Sequence, residues 1–150
     1  MNETDAPIES AGTIAKLPLA AALAALVGIA DSVYLTIKHF TAAPVPCSLI
    51  TGCETVLTSP YAVFAGIPIA AFGAAAYFTA FSLAVLAAFG NRAMWTLFGI
   101  VVVLMTLFTL WLIYLQAFVI GAFCQFCLIS AATTFTMFII FIVSRLNRFK

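Results

Sequence analysis

Apolar residues fill four long stretches of this chain, and polar ones gather between them. The apolar runs cover roughly residues 17–37, 67–89, 94–118 and 123–143. Each is long enough to cross about 30 Å of hydrocarbon as a helix, the one open-ended element that satisfies its own backbone there. Short turns separate the second run from the third (Gly90, Asn91, Arg92, Ala93) and the third from the fourth (residues 119–122). Short turns make sequence neighbours antiparallel, so the expected fold is all-α: a four-transmembrane-helix bundle. The longest polar interruption, residues 38–66, is expected to form a loop or short-helix cap over one end. In it, Ala43-Pro44-Val45-Pro46 must be extended, and Gly52 is free to turn. The segment from Glu54 to Gly66 is too polar to span and reads as half-buried at the interface. Pro68 is expected in the first turn of the second span, where a missing N–H is harmless.

Composition agrees with this pattern. Of the 150 residues, 65% are hydrophobic and 7% charged, against about 25% charged in soluble domains. Mean hydropathy is +1.22. The net charge of +1 carries no basic patch of the kind that nucleic acid requires. The expected division is a cytoplasmic tail over residues 1–16, the membrane domain over 17–143 and a basic tail over 144–150. The leading segment, with Glu3, Asp5 and Glu9, lacks the basic start of a cleaved signal peptide. Lys16, Arg92, Arg145, Arg148 and Lys150 fall on one side of a four-span layout and Lys38 alone on the other. The positive-inside rule then puts both termini in the cytoplasm, in the inner (cytoplasmic) membrane. The cap and the third-to-fourth turn face outward.

That orientation gives the four cysteines their meaning. Cys47 and Cys53 lie in the outer loop, and Cys124 and Cys127 form a C-x-x-C at the outer start of the fourth span. All four are then exofacial, where disulfides persist. At a helix start, Cys124 meets unpaired N–H groups that favour its thiolate, the attacking species in exchange. Cys127 lies one turn deeper, within reach of a lipid-soluble acceptor. The loop pair reads as exposed and flexible, able to visit a soluble partner. Two inert structural disulfides or a metal site use cysteines too. The x₅ spacing of the loop pair misses a zinc half-site, and Leu128 after Cys127 excludes haem attachment.

The motifs Cys47-x₅-Cys53, Ser59-Pro60-Tyr61, Phe64-Ala65-Gly66-Ile67-Pro68 and Phe123-Cys124-Gln125-Phe126-Cys127, with Asp31-Ser32-Val33-Tyr34-Leu35-Thr36 in the first span, resemble the bacterial vitamin K epoxide reductase family. The resemblance covers nearly the whole chain. It implies a four-helix bundle around a quinone (ubiquinone or menaquinone) and a quinone-dependent thiol oxidoreductase that makes disulfides de novo. By that resemblance Cys47 exchanges with a partner, Cys53 forms a transient disulfide with Cys124, and Cys127 reduces the quinone. Ser59 matches a Ser/Thr beside the quinone. Many bacterial members carry a fused thioredoxin-like domain. None is present here, so the resemblance implies a separate thioredoxin-fold, DsbA-like partner. Another four-helix, quinone-linked disulfide oxidase has its C-x-x-C in the first outer loop, the reverse of the order here.

Other polar residues have plainer readings. Asp31 lies about two turns below the outer interface. It is either a functional group or a packing residue between helices. Lys38 and His39 are expected to snorkel to the headgroups, with proton donation to the quinone as the alternative. Trp111, Tyr114 and Gln116 are candidates for a quinone pocket or an aromatic belt. Gly28, Gly66, Gly73 and Gly99 suit close helix approach.

Overall fold

The computed structural model describes residues 8–149. Four long helices carry the apolar runs: α1 Ile8–Thr41, α3 Ile69–Ala88, α4 Arg92–Tyr114 and α5 Gln125–Arg148. All four are long and apolar enough to cross a membrane, so this is an integral, multi-pass membrane bundle. Helix α1 packs against α3 and α5, and α4 packs against the same two. The helices therefore close a ring in the order α1–α3–α4–α5.

Chemistry at the ends sets where each helix stops. The Asn91 carboxamide accepts from Ala93 and Met94 N–H at 3.1 and 3.3 Å, capping α4. Arg145 and Arg148 lie in the last turn of α5, where cations complement the helix dipole. Two boundaries depart from the apolar pattern. Helix α1 starts at Ile8, inside the expected tail, although its candidate span is Lys16–Thr41. Residues 1–7 of that tail lie outside the described residues. Helix α5 runs on to Arg148, through most of the expected basic tail. A helix needs no apolar residue to continue, so hydropathy marks the membrane rather than the helix end.

The half of the bundle remote from the cysteines is solid. Ala21, Ala22 and Ala25 of α1 meet Ala80, Ala84 and Ala87 of α3, with Trp95, Phe98 and Val102 of α4 and Met137 and Phe141 of α5 completing the core. Small residues let the α1 and α3 backbones approach closely. Trp95 stacks on Phe98 at 4.8 Å, and its Nε1–H donates to Ser144 Oγ at 3.0 Å. Gly99 lies under the Phe141 ring and Gly28 under the Tyr77 ring, with no room for a Cβ at either.

The cap over the other end contains helix α2 Cys53–Leu57, a 3₁₀ turn Pro60–Ala62 and a hairpin of β1 Val63–Phe64 with β2 Ile67–Pro68. Val63 pairs with Pro68 and Phe64 with Ile67. Ala65 and Gly66 both have positive φ, 51° and 81°, the two-residue turn that a tight hairpin needs. Two expectations are corrected here. Gly66 is a turn residue with nothing near its missing Cβ, not a helix-packing glycine. Pro68 precedes α3 as a strand and cap residue rather than sitting in its first turn.

Candidate functional site

The cap brings both cysteine pairs together. Cys47 and Cys53 are joined as a disulfide, with Cα atoms 6.3 Å apart. Cys124 and Cys127 are free thiols. Cys53 and Cys124 are buried in one cluster, 1% and 0% exposed, with Cys47 and Cys127 packed against it. The loop pair is therefore less exposed than expected. Three contacts hold it down. Val45 N–H donates to Glu54 Oε1 at 2.9 Å, and Leu49 N–H donates to Gln125 Oε1 at 3.2 Å, tying the loop to the C-x-x-C segment. Gly52 lies against the Phe123 backbone; a Cβ there would come within 2.6 Å of its carbonyl oxygen. Its φ of −88° is open to any residue. Gly52 turns the chain as expected, but it is the close approach that requires glycine: its lack of a side chain lets Cys53 reach Cys124.

Cys124 is the N-cap residue of α5, with extended backbone at φ −102° and ψ 123°. Its thiol is pushed down to about 7, first by hydrogen bonding with the Cys127 thiol and further by the N–H groups of Cys127 and Phe126. Burial pulls the other way and does not prevail. The shift favours the Cys124 thiolate, the form that attacks a disulfide.

Beneath the cap the bundle is hollow. A cavity of about 340 Å³ is lined by Asp31, Ser32, Leu35 and His39 of α1, by Phe72, Gly73, Ala76 and Tyr77 of α3, by Leu104 to Ile113 positions of α4 such as Phe108 and Thr109, and by Cys127, Ser130 and Thr134 of α5. Val56, Leu57, Ser59 and Tyr61 roof it, and Gln116 closes its side. Of the four cysteines, Cys127 alone faces this space. Its volume is in the usual range for small-molecule sites, about 300–1,000 Å³. Trp111 and Tyr114 are half exposed on the outside of α4 and take no part in its wall; of that trio Gln116 does.

The polar groups on this apolar wall are few. Tyr77 Oη bonds the Ser130 carbonyl at 2.7 Å and the Ser130 and Thr134 hydroxyls at 2.8 Å each. The Ser59 hydroxyl donates to the Val56 carbonyl at 2.7 Å, leaving its oxygen lone pairs available. Among the described residues, Asp31 Oδ2 is the buried side-chain oxygen with no hydrogen-bond partner. The Tyr34 and Phe126 rings are 5.2 Å apart, which sets them at one depth. Asp31, three residues before Tyr34, then lies roughly 5 Å further in. An orphaned carboxyl oxygen calls for a donor or a shared proton. An apolar slot with such an oxygen, the Ser59 lone pairs and a thiol on its wall suits a flat, apolar ring whose oxygens carry protons in one redox state, as a quinone's do when reduced. Among the described residues, no three His, Cys, Asp or Glu side chains converge as metal ligands.

Compared with known families, the sequence matches the Vitamin K epoxide reductase family over residues 19–142, most of the chain. The chain belongs to the vitamin K epoxide reductase family. The match runs from the first span to near the end of the fourth, so the cap, both cysteine pairs and the cavity all lie within it. The family is one of membrane oxidoreductases that link disulfide chemistry to quinones, typically with thioredoxin-like partners. Two residues of this site carried little signal in the sequence. Gln116 was one candidate among three, and Gly52 read as a turn. Gly52 meets Phe123 far along the chain, and Gln116 reaches Cys124 across an irregular connection, neither of which spacing records.

Proposed function

We propose that this protein is a quinone-dependent thiol oxidoreductase that generates disulfides de novo. It takes electrons from a thioredoxin-fold, DsbA-like partner and delivers them to ubiquinone or menaquinone in the membrane. The observation that carries this reading is the burial of Cys53 and Cys124 in one cluster, with Cys127 opening into the apolar cavity. Electrons have a covalent route through sulphur from the cap to the cavity, and water is kept from the middle of it.

The steps on the protein are thiol–disulfide exchanges. A partner thiolate attacks Cys47, and the partner's second thiol closes its own disulfide, leaving Cys47 and Cys53 as a dithiol. The Cys53 thiolate attacks Cys124 of an oxidised C-x-x-C, forming Cys53–Cys124 and releasing Cys127 as a thiolate. Cys47 then attacks Cys53, closing the loop disulfide and releasing Cys124. Two electrons have moved inward, and the loop is oxidised while the C-x-x-C is reduced, the arrangement seen here. A bound quinone supplies an acceptor for two electrons and two protons. Cys127 would face it, the Ser59 lone pairs and the Asp31 carboxyl oxygen would accept from the hydroxyls of its reduced form, and the α4 side chains would exclude water. When the C-x-x-C gives up its electrons, the Cys124 thiolate closes onto Cys127. The loop and the C-x-x-C work on the outer face of the cytoplasmic membrane, with both termini inside, as five of six basic residues favour.

The test is quinone reduction by the purified protein in detergent, with a reduced thioredoxin-fold donor. Cys127→Ala should retain exchange with the donor and lose quinone reduction. Reduction at the parent rate in that variant would sink the assigned electron order.

A further inference from the structure

Between α4 and α5 the chain makes a connection that the exchange steps do not use. The helix widens over Leu115–Ile120 into a π-turn and ends at Gly121, φ 69°. Gln116, 4% exposed, is near the start of this segment. Its backbone carbonyl accepts from the Gly121 N–H and from the Ala122 N–H, the latter at 3.1 Å. Its side-chain Oε1 accepts from the Cys124 N–H at 3.0 Å, eight residues along the chain. One residue thus gathers three N–H groups of the segment that leads into the C-x-x-C. π-turns inside helices recur at functional sites, where they reposition side chains.

The Cys124 bond has a particular consequence. Cys124 is fully buried, so water cannot replace a lost acceptor. The N–H of an N-cap residue belongs to no helical ladder, and nothing in α5 can take it. With that N–H fixed, Cys124 is held in the extended conformation that sets its sulphur on the first turn of α5. We propose that Gln116 is a positioning residue for the reaction: it clamps the Cys124 backbone so that the Cys124 sulphur stays on the α5 N-terminus and against Cys53. Gln116 touches neither sulphur in this role; it acts through the backbone of Cys124. The proposal deepens the reading above, since it concerns the same thiol, yet its test needs no quinone and no partner.

The charged and titratable groups facing Cys124 are few. Cys127 faces it from α5 and Asp31 acts on it from α1. The cap contributes Cys47 and Cys53, which are joined to each other and do not titrate. Gln116 itself carries no charge. A change in Cys124 titration on replacing Gln116 therefore reports geometry rather than a removed charge.

The experiment is an ultraviolet thiolate titration of the protein with the Cys47–Cys53 disulfide closed. The Cys124 step is identified by its loss in Cys124→Ser. Gln116→Leu keeps side-chain bulk and removes the acceptor. The Cys124 midpoint should rise by about one unit or more, toward the free thiol value near 8.5. The thiolate share at pH 7 then falls about fivefold or more. An unchanged midpoint in folded Gln116→Leu overturns the proposal. Hydrogen exchange on the unsubstituted protein gives a second check that no failure to fold can blur. The Cys124 amide should be protected like amides inside α5; exchange as fast as an exposed loop amide overturns the proposal as well. If quinone proved not to bind at all, both results would stand unaltered, so the two readings fail separately.

Discussion

The two halves of this bundle are built from the same four helices and do opposite things with them. Away from the cysteines, alanines bring α1 and α3 together and aromatic rings fill what remains, with Gly99 making room for Phe141. Near the cysteines, the same helices stand around a space of about 340 Å³ under a folded cap. Close packing in the first half forfeits no contact. The hollow in the second leaves dispersion contacts unmade and an aspartate oxygen unpartnered. A membrane bundle gains little from hydrophobic burial, since lipid is as apolar as its core. The solid half therefore carries the packing that the hollow half lacks. The packed core and the candidate site are separated along the helix axes, and changes in the two halves should have separable effects.

The largest effect is expected from Cys127→Ala, which should abolish quinone reduction while shifting thermal unfolding little, because the side chain borders the cavity on one side and the substitution removes only its sulphur contact with the Cys124 cluster on the other. A large loss of stability would mean that the hollow half holds the fold together too. Next comes pH. Closure of the C-x-x-C needs the Cys124 thiolate, whose thiol is pushed down to about 7. The single-turnover rate from the reduced C-x-x-C should climb about tenfold per unit as pH rises toward 7 and level off above it. A rate still climbing through pH 9 would show a thiol of ordinary acidity.

The solid half supplies the converse. Gly99→Ala places a methyl group inside the Phe141 ring position. It should cost about 1–3 kcal/mol of stability by overpacking, read by thermal unfolding in detergent, with turnover unchanged while the protein remains folded. Loss of turnover at full stability would mean that the halves communicate. The smallest effect is expected from Ser59→Ala. One hydrogen bond to the bound ring is worth about 1 kcal/mol, roughly fivefold in rate, with at most a small drop in unfolding temperature from the lost bond to the Val56 carbonyl. An unchanged rate would leave Ser59 as the residue that turns the chain before Pro60.

Legibility differed between the halves for physical reasons. The number of helices and their membrane character follow from runs of about 20 apolar residues, a length that the bilayer itself imposes. Gly28 and Gly99 were correctly read as packing glycines, because small residues in apolar spans have few other uses. Gly66 was misread, since a hairpin turn and a helix contact ask for the same missing side chain. The cap was legible as a cap, yet its hairpin and the tightness with which Gly52 and Gln125 hold the loop were not. Those contacts join residues about 70 positions apart, which no local pattern reports.

The spans, the two cysteine pairs and the family were legible along the chain, because hydropathy and short motifs are local properties of a sequence. Tertiary structure alone decided which oxygen was left without a partner, which thiol faced the cavity and which side chain took the Cys124 N–H. Each of these depends on where a helix face ends up relative to another helix. That rotation is set by packing summed over all four helices, so it is written nowhere in particular along the chain.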